Sequence, residues 1–207
     1  ASMHLRDEPA AVDLLGQRLD LLAGAHWTRQ RALPGGDFPV GELELLKAQL
    51  RPLMDYAASA RWKWPFAPHD LGTYPLANGQ VYNIGSPNDG ERMPVEESAN
   101  MLILAGALAA AEGSPAFAAR YSDLFAEWAA YLEAQGFDPP NQLSSDDFMG
   151  PLAHSVNLSA KAIVALGTWA RLRGQLGQTG EAARLRGVAD GMVSNWLAQA
   201  DDGGHYR

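Results

Sequence analysis

The sequence predicts an all-α fold, with helical hairpins arranged as part of an α/α toroid and a long irregular loop over residues 60–93. Three observations predict it. Apolar residues recur at helical spacing through most of the chain, the signature of helices with one buried face. Two units of one plan (polar loop, enclosed helix, tight turn, amphipathic helix) follow each other at a spacing of roughly 60 residues, within the range of helical-repeat architectures though longer than most. Each polar loop precedes its enclosed helix, so the two loops are expected at one end of the ring. The repeat is architectural rather than a residue-by-residue copy. Two regions result: an N-terminal helical segment over residues 1–40, and a partial toroid domain over 41–207.

The elements follow in order. Pro9 to about Ala25 carries Val12, Leu15, Leu19 and Leu22 at helical spacing, with Asp7 and Glu8 suited to a helix start. Leu33-Pro34-Gly35-Gly36-Asp37-Phe38-Pro39 breaks the chain. A second helix is expected over Glu42 to Ser59, kinked or divided at Pro52. From Ala60 to Arg92 neither period is sustained, and prolines 65, 68, 75 and 87 with glycines 72, 79, 85 and 90 argue against regular structure. A loop this long is often functional when ordered, and Trp62, Trp64, Phe66, Tyr74 and Tyr82 imply that it folds down onto the domain. A short β-hairpin around Asn78-Gly79 fits its one turn signal.

Pro94 to about Glu112 reads as an enclosed helix, apolar nearly all round. Gly113-Ser114-Pro115 turns the chain into an outer helix reaching about Gln135, striped by Phe117, Tyr121, Leu124, Trp128 and Leu132. Residues 136–151 form the second polar loop. His154 to about Leu176 repeats the enclosed type and Gln178 to Gln199 the outer type.

Composition bounds the chemistry. The chain has 207 residues, a formal charge of −8 and no cysteine. That length suits one domain with a substantial core. The acidic balance, with no basic patch, argues against a nucleic-acid partner. No run approaches the roughly 18 apolar residues of a membrane span. No leader is visible either, although Ala1-Ser2 before Met3 reads as a cloning remnant, so this says little about the natural protein. Disulfides, thiolate nucleophiles and Cys-ligated zinc are excluded. No His-Glu-x-x-His pattern suggests a metal, and no phosphate loop, dinucleotide fingerprint or common serine-nucleophile motif occurs. Asn88-Asp89-Gly90-Glu91 could hold a calcium ion, but reads rather as a plain turn. No cofactor is expected.

The acids are the candidates. Glu96 and Glu97 lie in the first turn after Pro94, where complementing the helix dipole explains them without a site. The alternative is catalytic: a Glu held against an apolar bundle has its pKa raised, as a general acid requires. Asn100, four residues after Glu96, is expected on its face. Asp146 and Asp147 in Ser144-Ser145-Asp146-Asp147 suit a turn equally well. If both loops meet at one mouth, carboxylates from each would face one another, one activating water and one protonating a leaving group. His69-Asp70 is a surface pair or a rigidified site element, because Pro65, Pro68 and Pro75 hold its loop. His154, Asn157 and Lys161, spaced i, i+3, i+7, would share one helical face. Lys161 should pair with Asp146, Asp147 or Glu96, since buried Lys is rare without a partner.

Several of these segments together resemble the glutaminase A family: Pro65-Phe66-Ala67-Pro68-His69-Asp70-Leu71-Gly72-Thr73-Tyr74-Pro75, Met93-Pro94-Val95-Glu96-Glu97 through Asn100-Met101-Leu102-Ile103, and Asn141-Gln142-Leu143 with Asp146-Asp147-Phe148. Leu152-Ala153-His154, Asn157-Leu158-Ser159, Lys161-Ala162-Ile163 and His205-Tyr206-Arg207 extend the match, which covers roughly residues 42–207. The resemblance is to that family's six-helical-hairpin domain, similar in architecture to the α/α-toroid (six-hairpin) glycosidases. Ser98-Ala99 stands where a Cys/Ser-Gly pair is expected. Family members carry further segments on both sides, so this is expected to be part of a toroid, inactive by itself or self-associating to cover the open ring. The resemblance implies hydrolysis of L-glutamine to L-glutamate and ammonia in a secreted or periplasmic protein, with Glu96, Glu97, Asp146 and Asp147 as catalytic acids. His69, Asp70, Tyr74, Asn100, Asn141, His154, Asn157 and Lys161 would then line the substrate pocket. Two alternatives stand beside it: a glycoside hydrolase taking a sugar, and a non-catalytic helical binding domain.

Overall fold

The computed structural model describes residues 40–73, 75–145 and 147–203. The expected helix Pro9–Ala25, the Pro-Gly break after it, Tyr74, Asp146 and the His205-Tyr206-Arg207 motif lie outside the described residues. What is described is all-α, with six helices and no strand among those residues. No described helix is long and apolar enough to cross a membrane.

Helix α1 spans Val40–Ala57 and contains Pro52. The sequence predicted a kink or a division there. The helix is not divided, because Leu50, Met54 and Ala57 on either side of the proline are all buried in the common core. One missing N–H is a local loss that this packing outweighs. Lys47 of α1 pairs with Glu44 and with Glu112, tying the helix to the far end of the first hairpin.

That hairpin consists of α2 (Pro94–Glu112), α3 (Ala116–Arg120) and α4 (Ser122–Gln135). Helix α2 has its expected bounds, and Gly113 ends it at φ 66, a backbone conformation that glycine adopts without a Cβ clash. The outer helix is not one piece as expected but is broken at Tyr121 (φ −114, ψ 27). The break preserves the predicted stripe: Phe117, Tyr121, Leu124, Trp128 and Leu132 are all buried, and Tyr121 Oη donates to Asp55 of α1 at 3.3 Å.

The second hairpin pairs α5 (Val156–Gln175) with α6 (Thr179–Ala200). Helices α2 and α5, the two enclosed ones, pack directly against each other, and α6 covers α5 from outside. A Cβ at Gly106 of α2 would overlap Thr168 Cγ2 of α5, so the glycine sets how closely the helices approach. Arg171 Nη2 donates to the Gly106 carbonyl oxygen at 3.2 Å. Phe125, Trp128 and Trp169 form the aromatic centre, with Phe125 5.6 Å from Trp128 and 5.7 Å from Trp169. On the surface, Arg184 of α6 holds Glu133 of α4 with two bonds of 2.7 Å each.

The long loop folds inward as its aromatics implied. Trp62 and Phe66 are buried, Trp62 Nε1 donates to the Phe66 carbonyl at 2.6 Å, and Phe66 meets Tyr131 of α4 at 5.3 Å. Buried Arg92 lies 4.6 Å from the Trp64 ring centroid and donates to the carbonyls of Ile84 and Ser86 at 2.9 and 2.7 Å. The hairpin expected at Asn78-Gly79 is absent. Gly79 N bonds Leu71 O across a turn instead, and the neighbouring amides are taken by a side chain, Asp70, rather than by a second strand. Asp89–Arg92 is a single 3-10 turn capped by the Asn88 side chain, the plain turn that was expected.

Candidate active site

The mouth of α2 is built from what its own sequence lacks. Met93 is the residue before the helix, in a left-handed conformation (φ 56) and with no side-chain cap, so the first N–H groups need acceptors from elsewhere. Gln142, 47 residues away, provides one: its Oε1 accepts from Val95 N at 3.1 Å. Leu143 N donates to Gly90 O at 3.0 Å. Gln142 also bridges antiparallel to Leu152, which closes the second polar loop on itself. The two loops thus meet at one end, as the repeat predicted.

Glu96 sits at that junction with its side chain only 5% exposed. Its Oε1 accepts from Lys161 Nζ of α5 at 2.6 Å, and its Oε2 accepts from Ser145 N of the second loop at 2.6 Å. Among the three acids proposed for Lys161, it takes Glu96. One carboxylate therefore joins both enclosed helices and one loop.

Glu97 is half-buried and differs electrically from its neighbour. Burial pushes its carboxyl pKa above the usual range and repulsion from Glu96 adds to this, while His69, a hydrogen bond from Asn100 and Lys161 pull the other way. Asn100 Nδ2 lies 3.5 Å from Glu97 Oε2, so Asn100 serves Glu97, one turn away, rather than Glu96.

The first loop reaches the same place. Ser98 Oγ accepts from Ala67 N at 3.1 Å, which fixes the loop beside Glu97. His69 stacks on Tyr82 at 4.3 Å, its backbone N–H donates to Gln80 Oε1 at 2.8 Å, and its Nδ1 lies 3.3 Å from Asp70 Oδ2. Asp70 accepts from the amides of Gly72, Val81 and Tyr82 at 2.8, 2.9 and 3.0 Å. Burial works to raise its pKa, but those amides and His69 outweigh it and hold the carboxyl below the ordinary value. Asp70 is foremost the clamp of this loop.

Other candidates lie further out. Helix α5 begins at Val156, capped by Ser155 Oγ accepting from Leu158 N at 3.3 Å. His154 precedes it at φ 58, a left-handed conformation no helix contains, so the expected face of His154, Asn157 and Lys161 loses its first member. His154 instead pairs with Asp138 at 2.6 Å, with side chains 77% and 61% exposed. Asn157 is exposed in the first turn of α5, one turn before Lys161, and Asn141 is exposed beside Gln142. Asp147 opens a short 3-10 turn, Asp147–Met149. Gln142 and Ser145 were not among the residues the sequence singled out. Their signal was indirect: a helix opening on Met-Pro has no local cap and must take one from elsewhere.

Among the described residues no group of three or more His, Cys, Asp or Glu side chains could hold a metal ion. The class these features define is an all-α hairpin domain whose two loops converge on a Glu–Lys ion pair and a second, half-buried glutamate whose pKa burial raises.

The chain belongs to the glutaminase A family, whose six helical-hairpin domain matches residues 38–207. It is similar to glutaminase A of Aspergillus oryzae, with 32% identity over 154 residues, 74% of this chain and 22% of that protein. It is also similar to a probable glutaminase of Arthroderma benhamiae, with 24% identity over 76% of this chain and 25% of that protein. The chain thus spans about a quarter of the length of these curated relatives. No solved structure matches it significantly.

Proposed function

We propose that this domain carries reactive acids of a glutaminase-type amidohydrolase, converting L-glutamine and water to L-glutamate and ammonia. The observation that supports it most is the adjacent pair Glu96-Glu97 held in different environments. Glu96 is committed to an ion pair, and Glu97 next to it is biased by burial to keep a proton. Adjacent carboxylates pushed apart in this way divide into an acid and a non-acid. The names of both relatives agree with the chemistry.

In the reaction, a carboxylate of the loop pair Asp146-Asp147 takes a proton from water as the water oxygen bonds to the amide carbon. Glu97 gives its proton to the amide nitrogen, the C–N bond breaks and ammonia leaves. The proton held by the aspartate returns to Glu97, and ammonia takes up the proton of the new carboxylic acid. His69 and Asn100 border Glu97 and orient the amide, and Asn157 offers a further polar contact. The hairpins form part of an α/α toroid.

Ammonia release from L-glutamine by the chain and by Glu97→Gln tests this, with reducing-sugar release from a glycoside panel run alongside. Turnover by the parent and a loss of about 10²–10⁴-fold in the variant, the span of one general acid, is the expected result. Sugar release without ammonia would replace the reading with glycoside hydrolysis. A folded chain releasing neither would leave a binding domain.

A further inference from the structure

We propose that Glu96 and Lys161 form a positioning clasp that holds the loop bearing Asp146-Asp147 against the mouth of α2, and that Glu96 transfers no proton in the reaction. The clause about the reaction rests on the glutaminase-type reading; the clasp itself does not.

The loop is attached at successive points. Gln142 Oε1 takes the Val95 amide, Leu143 N donates to Gly90 O, and Ser145 N donates to Glu96 Oε2. The third of these lies directly before Asp146-Asp147. It is also the shortest, at 2.6 Å, as expected when a charged acceptor takes an amide. The other oxygen of Glu96 is occupied by Lys161 Nζ at 2.6 Å. A carboxylate buried to this extent, with an ammonium on one oxygen and an amide on the other, is held against rotation. Lys161 belongs to the second hairpin, so the loop takes its position only when the two hairpins are packed. Glu97, with neither of these partners, remains the group able to exchange a proton with a ligand.

The clasp has a distinctive repair. Glu96→Gln alone presents an amide N–H₂ to either Lys161 or the Ser145 amide, donor against donor. Lys161→Met alone leaves Glu96 buried without its counter-charge. The double variant Glu96→Gln/Lys161→Gln restores both bonds in neutral form: the new carbonyl at 96 accepts from Ser145 N while its N–H₂ donates to the carbonyl at 161. Glu97 then loses one neighbour that raises its proton affinity and one that lowers it.

Amide hydrogen exchange in the full chain reads the clasp directly. In each single variant Ser145 N–H is expected to exchange about tenfold faster or more, while the buried amides of Leu102 and Leu166 keep their protection, which separates local release from unfolding. Ser145 protection returns in the double variant. Glutamine turnover and its Glu97-dependent pH limb return with it. Unchanged Ser145 exchange in both single variants would overturn the clasp. Protection restored with turnover still lost would show that Glu96 is itself a proton carrier. A parent chain that releases no ammonia sinks the glutaminase-type reading and leaves the exchange result to decide the clasp.

Discussion

At the scale of the residue, Glu97 and Asp70 are two acids displaced in opposite directions. Burial raises the Glu97 pKa above 4.5, so the folded state binds a proton more tightly than the unfolded one. Its contribution to stability is therefore fully present below about pH 4.5 and is lost as the pH rises through the folded value. Glu97→Gln removes that cost: its urea midpoint should exceed the parent's at pH 7, with the advantage shrinking toward pH 4. Asp70 runs the other way. Its carboxyl is held below 3.8, so its stabilisation is present above that value and is lost as the pH falls through the folded one. Asp70→Asn keeps one good acceptor where three amides now converge. It should cost about 1–2 kcal/mol, read as a lower thermal midpoint and faster proteolysis between residues 71 and 82.

At the scale of the element, the contact between α2 and α5 decides whether the mouth exists, since Glu96 and Lys161 are on different helices. Gly106 sits inside that contact. In an exposed helix, glycine to alanine would add about 1 kcal/mol through propensity. Here the new methyl meets Thr168 Cγ2, and overpacking of this kind costs about 1–3 kcal/mol. Gly106→Ala should therefore destabilise, and Gly106→Ala/Thr168→Ala should recover most of the loss; a single variant more stable than the parent would refute the close-approach argument. Ser155 is the other decisive position, because it starts α5 and turns His154 out of the helix. Ser155→Ala should lower stability by about 1 kcal/mol, measured by urea denaturation. The break at Tyr121 shows what an apolar stripe omits: period 3.6 locates the buried side of a helix, but it does not require one unbroken helix to carry that side.

At the scale of the molecule, two hairpins stand with their enclosed helices together and their polar loops at one mouth, with α1 tied to the first through Lys47–Glu112 and Asp55–Tyr121. Phe148, Met149, Leu152 and Val156 are exposed on and just after the second loop, Phe148 at 81%. Neighbouring exposed apolar side chains of this kind are a surface through which two copies of a chain can associate. Sedimentation should show a concentration-dependent dimer that Phe148→Ser/Met149→Ser weakens about tenfold or more, since the two side chains together withdraw several kcal/mol of apolar surface from water. A monomer at all concentrations would remove that expectation.

Much of this was legible in the chain. The enclosed character of α2, the pairing of inner and outer helices, the inward fold of the aromatic loop and the meeting of the two polar loops follow from periodicity, turn residues and the order of segments, all of them local properties. Lys161 needed an acid because an ammonium is costly to bury, and that much was also local. Which acid it chose was not. Glu96 and Glu97 are adjacent in sequence and chemically alike, and only packing separates them: the first is bound by another helix and a loop amide, while the second is half-buried beside Asn100 and within the field of His69. Hydrogen bonds from residues 142 and 145 to the mouth of α2 span some 47 to 49 positions, a distance over which sequence spacing carries no geometric information. Sequence by itself determined the elements and their order. Tertiary structure alone decided which glutamate is bound and which has its proton affinity raised, because burial and partner geometry depend on the three-dimensional neighbours of each carboxylate.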